Sequence, residues 1–494
     1  MSDHETQQDL SGKTSRGALL TLVGNLLVKG LSIVVIALIA ATLDAEIYGH
    51  AILALAVFGF AEVITNPALQ TTLLREPNLR DETIDVAWTI SFIRGLALTT
   101  VLWFAAPFVA MLWPDQAIVM EGYLRILSLS FVVTGCTNLH TIRLRRDLRF
   151  GRAFLVESAG PFVGTLSVII ALPLTGESVW IVSGPVLGAI VGTLVSMVCV
   201  RPFPKLRLST TEIRRLWRFS RPLMLSTVMI FVLLNGDDIF VESVAGFAAL
   251  GIYAMSFRWS NSGVNLAVHG LQNVLTPAYV KMRHDPARLR HAVISSLSVL
   301  SAACVLISGL FLAFADEFFA FLGGNSEWSE AAPVARALVP FVLSRGLNAS
   351  LSPAFLVLDK PHWLTRMTAV QLLLFLPAMY LGNACLGLPG IALGVAVLSL
   401  GVSIASMVWI RQLLGINAGD FVAALLPAFL TTGVAVLIGW HCVAGLSDPT
   451  WRLFLGGGIT MLMFFWVWEV FCQQPMTRNL PQRSFLSLAG MLAR

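Results

Sequence analysis

Four cations lie inside long apolar runs of this chain: Lys29, Arg258 and Arg345 near the middle, and Arg94 nearer an end. A charged side chain at mid-membrane is expensive, so it turns to a bundle interior or a watery space, where it marks a functional site. Its neighbours then matter. Thr21, Asn25, Lys29 and Ser32 form one polar stripe, Arg258, Asn261, Asn265, His269 and Gln272 a second, and Arg345, Asn348 and Ser352 a third. Each stripe repeats at the period of one helix face. A guanidinium offers a planar fork of donors that suits phosphate, so the surplus of cations points to an anionic ligand, a diphosphate or a carboxylate. Acidic residues also occur in the runs, at Glu62, Glu157, Asp237 and Asp238. Glu62, Arg94 and Glu157 lie near run ends, where snorkelling or pairing is the structural alternative. The eight histidines and six cysteines show no ligand spacing, so neither a metal site nor a disulfide framework is expected.

The elements that carry these residues are membrane helices. The chain is 56% hydrophobic and only 12% charged, about half the charge of a soluble domain. Fourteen apolar runs fall between Ala18 and Cys472. An open sheet cannot cross lipid with unpaired backbone groups, so all are expected to be helical. Nearly all Lys and Arg outside the runs fall in alternate connections. Arg143, Arg145, Arg146, Arg149 and Arg152 follow run four, Lys281, Arg283, Arg288 and Arg290 follow run eight, and the connections 44–46, 113–121, 173–179, 241–247, 315–331 and 383–389 hold none. Basic connections resist translocation, which places them, and both termini, in the cytoplasm of a bacterial inner-membrane protein. The net charge of +5 therefore implies headgroups and no nucleic acid.

The expected organisation is a cytoplasmic tail (1–15), a six-helix lobe (16–200), a basic linker (201–221), a second six-helix lobe (222–411), two further helices (412–475) and a cytoplasmic tail (476–494). Residues 1–11 are polar, so no cleavable leader is expected. Pro202 to Arg221 is basic and partly amphipathic, which predicts a helix lying on the cytoplasmic surface. The segments Asp44–Ala51 and Ala249–Ser256 share Ile-Tyr followed by a small residue at an offset of 205 residues, consistent with two parallel repeats. Gly160, Gly164, Gly184, Gly188 and Gly192 predict close helix packing in runs five and six.

Four segments, in order, carry a family resemblance: Ser15-Arg-Gly-Ala18, Leu43-Asp-Ala-Glu-Ile-Tyr-Gly49, Asn66-Pro-Ala-Leu-Gln-Thr-Thr-Leu-Leu-Arg75 and Arg143-Leu-Arg-Arg-Asp-Leu-Arg-Phe150. With them, residues 15 to 472 resemble the polysaccharide transporters of the MOP exporter superfamily, the Wzx-like oligosaccharide flippases. The family turn often has Pro where Asp44 or Ala45 stands here. The resemblance implies an all-α polytopic membrane protein of about 14 transmembrane helices, two six-helix lobes around a central cavity, and two extra helices. It implies alternating access that moves undecaprenyl-diphosphate-linked oligosaccharide units between leaflets for polysaccharide biosynthesis. In that scheme Lys29, Arg94, Arg258 and Arg345 attract the diphosphate and acidic sugars, Asn25, Asn261, Asn265 and Asn348 bind the substrate with them, and runs thirteen and fourteen guide the lipid tail. Asp237, Asp238 and Glu62 are the candidates for coupling to Na+ or H+. No catalytic residue, resident cofactor or metal is implied. The expected protein is a monomer that meets its lipid-linked substrate, membrane lipids and a polysaccharide polymerase complex. Two other readings remain in view. A cation-coupled multidrug exporter of the same superfamily usually has twelve spans and acidic binding residues. An O-antigen polymerase or ligase needs a large periplasmic loop with Arg or His, whereas 315–331 has neither.

Overall fold

A computed structural model describes residues 24, 27–76, 79–147, 149–323 and 326–473. Among them the chain is helical and has no strand. The helices are α1 (Leu27–Thr42), α2 (Ala45–Thr65), α3 (Leu69–Arg75), α4 (Asp81–Ala110), α5 (Ala117–Gly135), α6 (Ile142–Arg146), α7 (Phe150–Thr175), α8 (Val179–Cys199), α9 (Thr210–Lys281), α10 (Pro286–Gly323), α11 (Ala331–Ala337), α12 (Val339–Val357), α13 (Pro361–Leu386), α14 (Leu388–Leu414), α15 (Ala418–Val443), α16 (Pro449–Trp451) and α17 (Gly457–Gln473). The chain groups into two compact units, Met1–Gly251 and Ile252–Arg494.

Eleven helices among the described residues are long and apolar enough to cross a membrane. The fourteen expected runs differ from these in three places. Runs seven and eight appear as one stretch, Met224–Asn265, which at ~1.5 Å per residue is about twice the hydrocarbon thickness. It is broken at Gly246, whose φ of 82° and ψ of 179° lie outside helical space in a region open to glycine alone. Run one is described from Leu27 to Thr42 as a shorter apolar helix. Run ten is divided at Leu338 into α11 and α12, just before Pro340.

In unit 1, α4 pairs with α5 and α7 with α8. The glycine ladder explains the second pair. A Cβ built on Gly164 would sit 2.6 Å from the Gly184 carbonyl oxygen, and one on Gly160 the same distance from the Gly188 carbonyl. No side chain fits there, so the two backbones touch, the expected small-residue packing. In unit 2, α10 packs on α12 and α15, and α14 on α12 and α13. Its core includes Val264, Leu297, Leu300, Leu347, Phe355 and Phe421.

The basic stretch after α8 is not the surface helix expected over 202–221. It is non-helical to Ser209, then helical from Thr210 without interruption into the span. Pro202 and Pro204 lack the donors a helix needs, and buried side chains of α4 capture the backbone that follows.

Candidate functional site

Unit 2 brings together polar faces of α9, α12 and α14. The Arg345 guanidinium donates to Asn265 Oδ1 at 3.1 Å. Three residues on, Asn348 Nδ2 donates to Ser403 Oγ at 2.8 Å. The Ser344 and Ser399 hydroxyls meet at 2.7 Å, and Ser403 Oγ also donates to the Ser399 carbonyl at 2.9 Å. Behind Arg345 the wall is tight: a Cβ at Gly346 would lie 2.7 Å from Cys304 Sγ of α10. Glycine at 346 thus lets α10 close against α12 and sets where the neighbouring guanidinium emerges.

Arg345 is half-buried, and its partner is a neutral amide. No ion pair to it occurs among the described residues. Its Nε and the Oδ1 of Asn261 are buried and without a hydrogen-bond partner among those residues. A buried polar atom left unpaired costs roughly 1–3 kcal/mol, so an unspent donor on α12 and an unspent acceptor on α9, one turn before Asn265, invite a ligand that bears both anionic and hydroxyl groups. Arg258 stands on the same face of α9, exposed, and its carbonyl accepts from Ser262 at 2.5 Å. Four predicted residues of unit 2, Asn261, Asn265, Arg345 and Asn348, therefore share one neighbourhood on α9 and α12. Asn25 lies outside the described residues, as do the side chains of His269 and Gln272.

Unit 1 treats its charges differently. Arg94 Nη2 and Glu62 Oε1 form an ion pair at 3.0 Å. Arg94 Nη1 donates further to Thr65 Oγ1 at 3.2 Å and the Glu62 carbonyl at 3.3 Å, while Asn66 Nδ2 donates to Glu62 Oε1 at 3.2 Å. The expected substrate cation and the expected coupling carboxylate are thus each other's partners. Lys29 is half-buried on α1. On α9, Asp237 is buried and Asp238 half-buried. One turn on, Glu242 is also buried. Three other charges prove to be paired: Glu157 with Arg145 at 2.5 Å, Arg125 with Glu121 at 2.7 Å and Arg336 with Asp316 at 2.5 Å.

Sequence reasoning passed over Ser344, Ser399, Ser403 and Cys304 around Arg345, and Thr65 and Asn66 around Arg94. The spacing of Ser399, Ser403 and Ser406 by three to four residues was a usable signal for a polar face on α14. Asn66 opens one of the segments that carry the family resemblance, and nothing in the sequence marked Ser344, Cys304 or Thr65.

The fold defines the class. It superposes on the lipid II flippase MurJ, inward closed, with TM-score 0.74 at 13% identity over 92% of this chain and 99% of that one. It also superposes on an inward-facing multidrug resistance MATE family transporter of the MOP superfamily, with TM-score 0.64 at 15% identity over 78% and 94%. The chain shares the helical fold of these two transporters, as the sequence resemblance implied.

Within that class the family is explicit. The profile described as "Polysaccharide biosynthesis protein" matches residues 38–333, and the chain belongs to this family. It is 19% identical over 437 residues to the lipopolysaccharide biosynthesis protein WzxC of Escherichia coli K12, covering 87% of each chain. It is 25% identical over 325 residues to the succinoglycan biosynthesis transport protein ExoT of Rhizobium meliloti, covering 64% of this chain and 63% of that protein.

Proposed function

We propose that this protein is a flippase for polyprenyl-diphosphate-linked oligosaccharides, carrying them by alternating access from the cytoplasmic to the periplasmic leaflet of a bacterial inner membrane. One observation carries the reading: the Arg345 guanidinium on α12 is held by the neutral amide of Asn265 on α9, with no carboxylate paired to it among the described residues. A guanidinium not neutralised by carboxylate can engage a diphosphate or an acidic sugar, while the amides and the Ser403 hydroxyl read sugar hydroxyls. In this reading Arg258 of unit 2 and Lys29 of unit 1 are further cations for the substrate. The relatives named for polysaccharide transport and lipopolysaccharide biosynthesis support the same substrate class.

The ion pair of unit 1 offers a coupling element. A coupling ion that engaged Glu62 would compete with Arg94 and free the guanidinium for a ligand. Asp237 and Asp238 are the alternative coupling site. A drug exporter binding organic cations is favoured less, because the carboxylate of Glu62 is already taken by Arg94.

The test is complementation. A strain lacking the protein should lose surface polysaccharide and accumulate lipid-linked repeat units that stay inaccessible from the periplasm. The wild-type chain should restore both and Arg345→Ala neither, at equal protein abundance. Full restoration by Arg345→Ala would remove the anion site from the mechanism.

A further inference from the structure

The connection between α8 and α9 is held in place, and held with its charges outward. Asn138 Nδ2 donates to the carbonyls of Val200 at 3.0 Å and Pro202 at 3.3 Å. The backbone N–H of Lys205 donates to Asp85 Oδ1 at 3.1 Å, and that of Arg207 to Thr89 Oγ1 at 2.9 Å. Asp85, Thr89 and Asn138 are all buried, at 5%, 1% and 0% exposure. The spacing is matched: two residues of extended chain advance ~6.7 Å, close to the ~6 Å that separates residues 85 and 89 along a helix. The segment thus runs along α4 as an extended strip with alternate N–H groups turned inward.

The helix that follows is anchored in the same manner. Leu216 is buried with Leu69, Leu73, Ile84 and Ile142, Ser220 meets Thr72 at 3.3 Å, and Arg215 pairs with Glu76. Its other face carries Arg214, Trp217, Arg218 and Arg221, with Arg221 over the Trp217 ring at 5.6 Å.

Six cations remain here, Arg201, Lys205, Arg207, Arg214, Arg218 and Arg221, and none has an ion pair among the described residues. Among them stand large apolar side chains open to the surroundings: Phe203, Leu206, Leu208 and Trp217, 44% to 70% exposed. A connection that only had to stay on one side of the membrane would need the charges alone. It would not need three buried polar side chains to fix its backbone, nor leucines left outside. Both flanking helices, α8 and α9, are long and apolar enough to cross a membrane, and on that reading the strip between them sits at headgroup level.

We propose that residues 201–221 form a preformed binding pad for anionic phospholipid headgroups in the leaflet on the basic side. Phe203, Leu206, Leu208 and Trp217 enter the interface, and the six cations take the phosphates. The pad depends on the membrane-spanning reading of α8 and α9 and is independent of the transported cargo.

Hydrogen–deuterium exchange on the full-length protein tests it, in nanodiscs of phosphatidylcholine, of phosphatidylcholine with phosphatidylglycerol, and of phosphatidylcholine with undecaprenyl diphosphate at equal phosphate charge. Phosphatidylglycerol should slow exchange of amides in 203–221 by about tenfold, and salt should reverse the effect. The variant R201Q/R207Q/R214Q/R218Q/R221Q should lose that protection while keeping the wild-type unfolding temperature in phosphatidylcholine. The pad is overturned if phosphatidylglycerol protects the variant equally, or protects neither protein. Protection by undecaprenyl diphosphate alone would also overturn it and make the strip a gathering surface for substrate.

Discussion

Asn265, on α9, accepts a hydrogen bond from Arg345, on α12, at 3.1 Å, so a half-buried cation is held by an amide where a carboxylate would neutralise it. The pairing orients the guanidinium and leaves its charge available. Replacing the amide by an acid should therefore be informative. Asn265→Asp creates an ion pair in a sparsely solvated place, which should raise the unfolding temperature or leave it unchanged and reduce transport at least tenfold. Asn265→Ala should weaken transport less. Repeat-unit accumulation in a deletion strain reads the transport, and a thermal melt of purified protein reads the stability.

Arg345→Lys separates charge from geometry. An ammonium keeps the charge but cannot present two parallel donors. If the fork itself engages a diphosphate, Lys should restore only a small part of surface polysaccharide. Near-complete restoration would show that Arg345 acts as a point charge.

Glu62 and Arg94 should behave as a unit. Their side chains are 28% and 16% exposed, so removing one partner strands the other in a place that solvates it poorly. Glu62→Gln or Arg94→Gln alone should destabilise by about 2–3 kcal/mol, less than a fully buried pair would lose. The double variant should lose much less than the sum of the two. A double-mutant cycle in denaturant checks this, and strict additivity would dissolve the pair as an energetic element.

His140 gives unit 1 a dependence on pH. Its ring is fully buried, with Nε2 3.4 Å from Asp85 Oδ1 and Nδ1 3.8 Å from Asp81 Oδ1. Burial holds its pKa below the ordinary 6.5, helped by Arg143 and opposed by Asp85 and Asp81. The unfolded chain then takes up the proton first as pH falls, so stability is full above about pH 6.5 and declines toward the depressed native value. Below that value this residue causes no further loss. Melting temperatures between pH 7.5 and 5 should show the decline in wild type and a shallower one in His140→Gln.

The glycine contact between α7 and α8 should tolerate nothing larger. Gly164→Val places side-chain carbon where the Gly184 carbonyl already sits, 2.6 Å from the Cβ position, and should destabilise by roughly 1–3 kcal/mol or more as the helices separate. Gly176→Ala, with open space around its Cβ, should suffer chiefly from its positive φ of 69°. Unfolding temperatures of the two variants, with an unrelated surface change as control, compare them.

The fourteen apolar runs, the alternation of basic connections, the small-residue faces of α7 and α8 and the family likeness were all legible in the chain. Each is a sum over neighbouring residues: apolar transfer, the cost of moving cations across lipid, and the size of side chains at helical spacing. The individual cations at mid-run were legible too, and their surroundings were not. Arg94 meets Glu62 from 32 positions away, and Arg345 meets Asn265 from 80 away. Which helix faces touch depends on packing across the whole unit, so only the tertiary structure decided that one arginine is neutralised and the other stays charged. The extended strip after α8 has the same origin: its composition reads as an amphipathic helix, but Asp85, Thr89 and Asn138, far away in sequence, capture its backbone first.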